Sequence, residues 1–150
     1  MKMNLVVLLA ALLLKSGFCA AAAESIRACP PWRVTVVDAK GAPIGNVSVT
    51  QEWGCNVGGE MVMGTTNAVT DAKGQVTLSE RFLEPPNETA FKKWVVQLNS
   101  PDQTRPWTTI TLWKKGFEIT RVSMLNDPRV VWTRNGLETR VVLPQWKPGS

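Results

Sequence analysis

Val36–Val49 reads V-V-D-A-K-G-A-P-I-G-N-V-S-V, and its tetrapeptide Asp38–Gly41 recurs as Asp71–Gly74 within Ala68–Leu78, A-V-T-D-A-K-G-Q-V-T-L. Asp-Ala-Lys-Gly has the chemistry of a turn. The carboxylate of Asp38 or Asp71 can accept a hydrogen bond from the backbone N–H two residues on, and Gly41 or Gly74 tolerates positive φ. A valine-containing strand leads into each copy. Strand-like sequence resumes late after the first and at once after the second. The flanking residues do not otherwise align, so the repetition marks two turns of one kind rather than a duplicated unit.

Working outward, period-two alternation of apolar and polar residues predicts strands over Arg33–Val37, Asn46–Glu52, Lys93–Leu98 and Thr109–Trp113. Val130–Thr133 and Leu137–Leu143 flank Asn135-Gly136, a pair suited to a hairpin turn with positive φ at both central positions. Breaks rich in Gly, Pro and Asn fall at Gly41–Asn46, Gly54–Gly59, Glu84–Glu88 and Ser100–Pro106. No stretch has a convincing helical pattern. Many short strands between such breaks predict an all-β sandwich or barrel of about seven to eight strands.

The first residues read differently. Lys2 is followed by the unbroken apolar run Leu5–Leu14, then by small residues up to Ala23. Charge, apolar run and small-residue site in that order form a secretory leader, and the run is half the roughly 20 residues a membrane span needs. Residues 1–23 are therefore expected to be removed, leaving one domain over 24–150 and no stable membrane span. Lipidation of Cys19 is the alternative, but Phe18 and Ser16 fit such a site poorly. Loss of Lys2 and Lys15 lowers the formal charge from +5 to +3. The remaining basic residues are scattered, which argues against nucleic-acid binding.

Cys29 and Cys55 remain after the leader, and an even pair in an exported chain is read as a disulfide. Metal is the alternative, but two thiols without any histidine are too few for a tetrahedral zinc site. The absence of histidine also removes the Ser-His-Asp and Cys-His nucleophile systems and the commonest general base. Asp38 and Asp71 each stand as a lone acid, which suits a turn better than a calcium loop. Met61 and Met63 read as alternating strand residues rather than a soft-metal site. A spatial pair among Glu52, Glu60 and Glu80 is the remaining route to a small hydrolase.

Four pieces stand in register: V-x-D-x-x-G-x-P-I-x-N-V-x-V at Val36–Val49, T-D-x-x-G-x-V-x-L at Thr70–Leu78, I-x-L-x-K-x-G-F at Ile110–Phe117, and Leu137–Pro144 ending V-x-L-P. In that order the chain resembles the carboxypeptidase regulatory-like domain, a transthyretin-like (prealbumin-type) β-sandwich, over roughly residues 32–144. The resemblance implies an Ig-like or prealbumin-like sandwich acting as a non-catalytic accessory, stabilising or adhesion module. Trp53-Gly54-Cys55, the Gly58-Gly59 loop and the long bridge over 84–106 depart from the pattern. Hydroxyisourate-type hydrolases of the transthyretin-like group rely on histidines and a tyrosine-bearing motif, and intradiol dioxygenases with a related sandwich hold iron with Tyr and His. This chain has neither residue. The first strand also lacks the lysine of a pilin-type isopeptide bond.

Seven tryptophans are the positive anomaly. Trp94 continues an apolar face and is expected in the core. Trp32, Trp53, Trp107 and Trp146 are the candidate binding surface, for a protein partner or for a glycan stacked on exposed indoles. The alternative is that they cap the ends of the sandwich. Asn46 and Asn87 open N-glycosylation patterns, relevant only in a eukaryotic secretory host. The expectation is thus a secreted or periplasmic sandwich tied by Cys29–Cys55, without cofactor or catalysis, and binding or supporting a protein or glycan partner.

Overall fold

The structure, a computed structural model, describes residues 25–57, 59–85 and 105–147 together with positions 87, 89, 92 and 95. The leader expected over 1–23, including Cys19, lies outside the described residues, and so does Trp94. The strand expected over 93–98 lies outside them as well except for Val95, whose backbone, like that of Thr89 and Lys92, is helical rather than extended. Among the described residues no helix is long and apolar enough to cross a membrane.

The strands are β1 (Ile26–Cys29), β2 (Trp32–Val37), β3 (Ser48–Val57), β4 (Glu60–Val69), β5 (Gln75–Leu78), β6 (Arg81–Leu83), β7 (Trp107–Trp113), β8 (Thr120–Ser123), β9 (Val130–Thr133) and β10 (Gly136–Val142). Two four-stranded sheets, β5-β2-β10-β9 and β4-β3-β7-β8, pack as a sandwich, and β1 and β6 form a separate two-stranded ribbon. All pairings are antiparallel except β2 with β10, which run parallel from Trp32↔Leu137 to Val37↔Val142.

Alternation sets the core. Trp32, Val34 and Val36 of β2, Ile110 and Leu112 of β7, and Leu137, Thr139 and Val141 of β10 are buried, while the alternate residues between them are more exposed. Trp32 is enclosed completely, and its indole N–H donates to Thr139 Oγ1 at 2.9 Å, which satisfies its one polar atom. A second, smaller core lies under the β1–β6 ribbon and holds Ile26, Ala28, Cys55, Val57 and Leu83, with Trp53 and Val62 against it.

Two local expectations are corrected. Gly54–Gly59 is not a break: β3 runs through Gly54 and Cys55 to Val57, so β3 and β4 make a long unbroken hairpin. Gly54 sits inside a strand because the Trp107 ring lies over it, and a Cβ there would stand 2.8 Å from the ring. The Trp53 ring lies over Gly64 of β4 in the same way, so neighbouring aromatics fill the space the missing side chains leave. The closing hairpin forms, but its two-residue loop is Arg134-Asn135, and Gly136 already pairs with Thr133. Asn135 does not have positive φ. Gly136, at φ 137°, is needed because the Pro31 carbonyl comes so close that a Cβ would lie 2.2 Å from it.

The two Asp-Ala-Lys-Gly copies are the same turn. Asp38 Oδ1 accepts from the N–H groups of Lys40 and Ala42, and Asp71 Oδ1 from those of Lys73 and Gln75, at 2.8–2.9 Å. Gly41 and Gly74 close them at φ 85° and 70°. Thr70 joins the segments around them. Its hydroxyl donates to the Ile44 carbonyl at 3.1 Å and accepts from the Val47 N–H at 3.0 Å. Its own carbonyl accepts from Asn46 N–H, and its N–H donates to the Val47 carbonyl, both at 3.0 Å. With 2% of its surface exposed, Thr70 shields this network from water. Thr70→Val keeps the shape but leaves the Val47 N–H without an acceptor, so it should cost about 1–3 kcal/mol. Urea unfolding checks this, with Thr70→Ser expected to retain most of the stability.

Candidate ligand groove

β7 ends at Trp113, and its alternation decides where that side chain goes. Thr108, Ile110 and Leu112 point inward, which places Trp107, Thr109, Thr111 and Trp113 on the outer face. The chain then turns, with the Phe117 N–H donating to the Lys114 carbonyl at 3.1 Å. The segment after β10 returns alongside this turn. Phe117 bridges Gln145, the Glu118 N–H donates to the Pro144 carbonyl, and the Trp146 N–H donates to the Gly116 carbonyl, the last two at 3.0 Å. These bonds bring Trp146 to the same groove as Trp113. The groove is open, about 500 Å³, and lined by Trp113, Lys114–Ile119 and Trp146. Trp113 is 52% exposed, Trp146 60% and Ile119 68%, whereas Phe117 is half-buried against the main core. The Lys114 ammonium donates to the Gly45 carbonyl, which ties the groove wall to the turn region.

The candidate tryptophans do not form one surface. Trp32 is in the core. Trp53 is half-buried, with its ring over Gly64 and the Arg81 guanidinium 4.9 Å from its centroid. Trp107 is half-buried over Gly54. Of the four, Trp146 alone is broadly exposed, and its companion is Trp113, a residue outside the candidate set. The alternation of Thr109–Trp113 carried that signal, because Ile110 and Leu112 inward require Trp113 outward. Trp132 on β9 is also exposed but lies outside the groove.

The acids do not converge either. Glu52 pairs with Thr65 and Glu60 with Val57, so the two stand five residues apart along β4, or roughly 16 Å at the rise of a strand. Glu80 forms a surface ion pair with Arg27 at 3.2 Å. Asp127 is clamped by Arg129, whose guanidinium holds its carboxyl below the usual carboxylate range. Among the described residues no group of three or more His, Cys, Asp or Glu is placed to hold a metal ion.

Neither a family model nor a curated protein matches this sequence. The chain is similar in structure to 3-chlorocatechol 1,2-dioxygenase from Rhodococcus opacus, at 15% identity and a TM-score of 0.48, covering 82% of this chain and 62% of that one. It is also similar to catechol 1,2-dioxygenase from Acinetobacter radioresistens, at 12% identity and a TM-score of 0.48, covering 89% and 56%. The enzyme from Pseudomonas arvilla follows at 11% and 0.47, covering 82% and 54%. The chain thus spans little more than half the length of these structures, and at such identities no substrate, cofactor or residue role is carried over from them. They do correct one expectation. These similar structures are dioxygenases, against the expected non-catalytic accessory module, and that expectation is withdrawn.

The expected Cys29–Cys55 disulfide is not formed. Cys29 stands beside Gln51 and Thr108, and its thiol donates to the Pro30 carbonyl at 3.2 Å. Cys55 lies four residues further along β3 in the second core, roughly 13 Å beyond Gln51 at the rise of a strand, which is too far for a bridge. Burial pushes the Cys29 thiol up to about 11 from 9.0, outweighing Thr108, Gln51 and the charges of Arg81 and Arg27, which favour the thiolate. The folded chain therefore holds this proton more tightly than the unfolded chain does. The resulting stabilisation is complete below about pH 9 and is lost as pH rises through about 11, a total of roughly 2–3 kcal/mol. Urea midpoints measured across that window should fall, and Cys29→Ala should flatten this part of the fall. Alkylating reagents should label Cys29 and Cys55 only on unfolding; rapid labelling of the native chain contradicts the assignment.

Proposed function

We propose that the chain is a small-molecule-binding domain whose ligand is planar, largely apolar and negatively charged, seated in the Trp113–Trp146 groove. The observation that carries this reading is the pair of indoles, each more than half exposed, brought to one groove by strand β7 and by the segment after β10. Exposed indole surface is costly in water and gains by stacking on a flat apolar partner. The groove volume of about 500 Å³ lies within the range of small-molecule sites. Phe117 and Ile119 extend the apolar lining, and Lys114 and Lys115 outnumber Glu118, so the rim favours an anion.

The setting is read as secreted or periplasmic on the leader signature of Lys2 and Leu5–Leu14. The two four-stranded sheets and the paired Asp-Ala-Lys-Gly turns support the transthyretin-like resemblance.

The test is a fluorescence titration with anilinonaphthalene sulfonate and with a naphthalene carboxylate, using the uncharged naphthalene alcohol for comparison. Saturable binding of the two anions is expected, with weaker binding of the alcohol. Trp113→Ala and Trp146→Ala should each weaken binding about tenfold, a loss of roughly 1.4 kcal/mol. Trp132→Ala, outside the groove, should leave it unchanged. Equal affinity in the Trp113 and Trp146 variants and the parent overturns the reading.

A further inference from the structure

We propose that β4 is a self-pairing edge, along which two copies of the chain join antiparallel about a two-fold axis at Thr65 to make one continuous sheet. The inference rests on residues separate from the groove. β4 ends its sheet, and among the described residues it pairs with β3 alone. It is ten residues long, whereas the other sheet-end strands β5, β8 and β9 have four each. Short end strands are one way in which proteins avoid edge pairing; Lys, Pro, bulges and inward charges are others. β4 has none of these. Glu60–Val69 contains no Pro, Lys or Arg, its one charge is Glu60 at the tip, and its register with β3 runs from Ser48↔Val69 to Val57↔Glu60 without a shift.

A second copy is the occupant because the strand is complementary to itself. Met61, Met63, Thr65, Asn67 and Val69 lie on the exposed face, while Val62, Gly64, Thr66 and Ala68 are half-buried on the inner one. A two-fold axis that reverses strand direction keeps the faces in place, so exposed residues must oppose exposed residues and the axis must pass through a residue pair. Centring on Gly64 would bring Glu60 into the ladder and place Met61 opposite Asn67. Centring on Thr65 leaves Glu60 out, sets Met61 opposite Val69 and Met63 opposite Asn67, and faces Thr65 with itself. Met61, Met63 and Val69, now 57–60% exposed, are then covered, and no like charges face each other. Each chain has one such strand, so the pairing closes at two copies instead of propagating.

Sedimentation of the chain without its leader over micromolar to millimolar concentrations should show twice the chain mass, dissociating on dilution. Thr65→Lys sets two ammonium groups opposite each other and should give a monomer with an unchanged circular dichroism spectrum and the unfolding midpoint that the parent shows when diluted to the monomer. Directly opposed Cβ atoms lie about 4.5–5.5 Å apart, close to the 3.5–4.5 Å of a disulfide, so Thr65→Cys should cross-link under mild oxidation. Asn67→Cys, opposite Met63, should not. A monomeric parent, a dimeric Thr65→Lys variant, or cross-linking of Asn67→Cys as efficient as that of Thr65→Cys overturns the proposal.

Discussion

The fold depends on a buried threonine at a crossing. The chain passes between the two sheets from β2 to β3 through residues 38–47, and passes back from β4 to β5 through residues 70–74. Both passages carry polar backbone out of the sheet ladders, and such groups are costly when buried unpaired. Thr70 resolves this with four hydrogen bonds, two from its hydroxyl and two from its own peptide groups. The Asp38 and Asp71 turns then fix the angle at which each strand arrives. The two passages between the sheets are thus tied together through one residue, by its side chain and its backbone.

The groove is attached to the same crossing. The Lys114 ammonium reaches the Gly45 carbonyl, next to Ile44, whose own carbonyl accepts from Thr70. Phe117 is packed on the main core, and two backbone hydrogen bonds, which make the Phe117–Gln145 bridge, hold the Trp146 segment to residues 116–118. The exposed indoles therefore stand on a framework bonded at several points, which lowers the entropic cost of ordering a site around a ligand.

Much of the architecture could be read from local chemistry, because alternation and turn residues act over a few positions. Val34 and Val36, and Ile110 with Leu112, declared their strands, and Asp-x-x-Gly declared its turns. What escaped depends on partners far away in sequence. Gly54 looks like part of a break until the Trp107 ring is seen to fill its place. Gly136 looks like the centre of a turn until the Pro31 carbonyl is seen against it. The two cysteines suggested a bridge, but β1 lies along β3 with Cys29 beside Gln51 and Ile26 in the cluster of Cys55, so the thiols fall at different levels. The groove was hidden for a similar reason. Trp113 and Trp146 share it because the segment after β10 folds back on the turn after β7, and no spacing rule encodes that return.

The parallel pairing of β2 with β10 has a consequence for how the molecule is made. Trp32 and Thr139, bonded at the centre of the sandwich, are 107 residues apart in sequence. Until the final strand is delivered, β2 has β5 on one side and nothing on the other, and the Trp32 indole lacks its acceptor. Synthesis from the amino end therefore produces the middle of this sheet last. The hairpin of β3 and β4 can form early and waits for its facing layer. Such long-range closure slows folding, and a sheet with this order stays incomplete until β10 has been made.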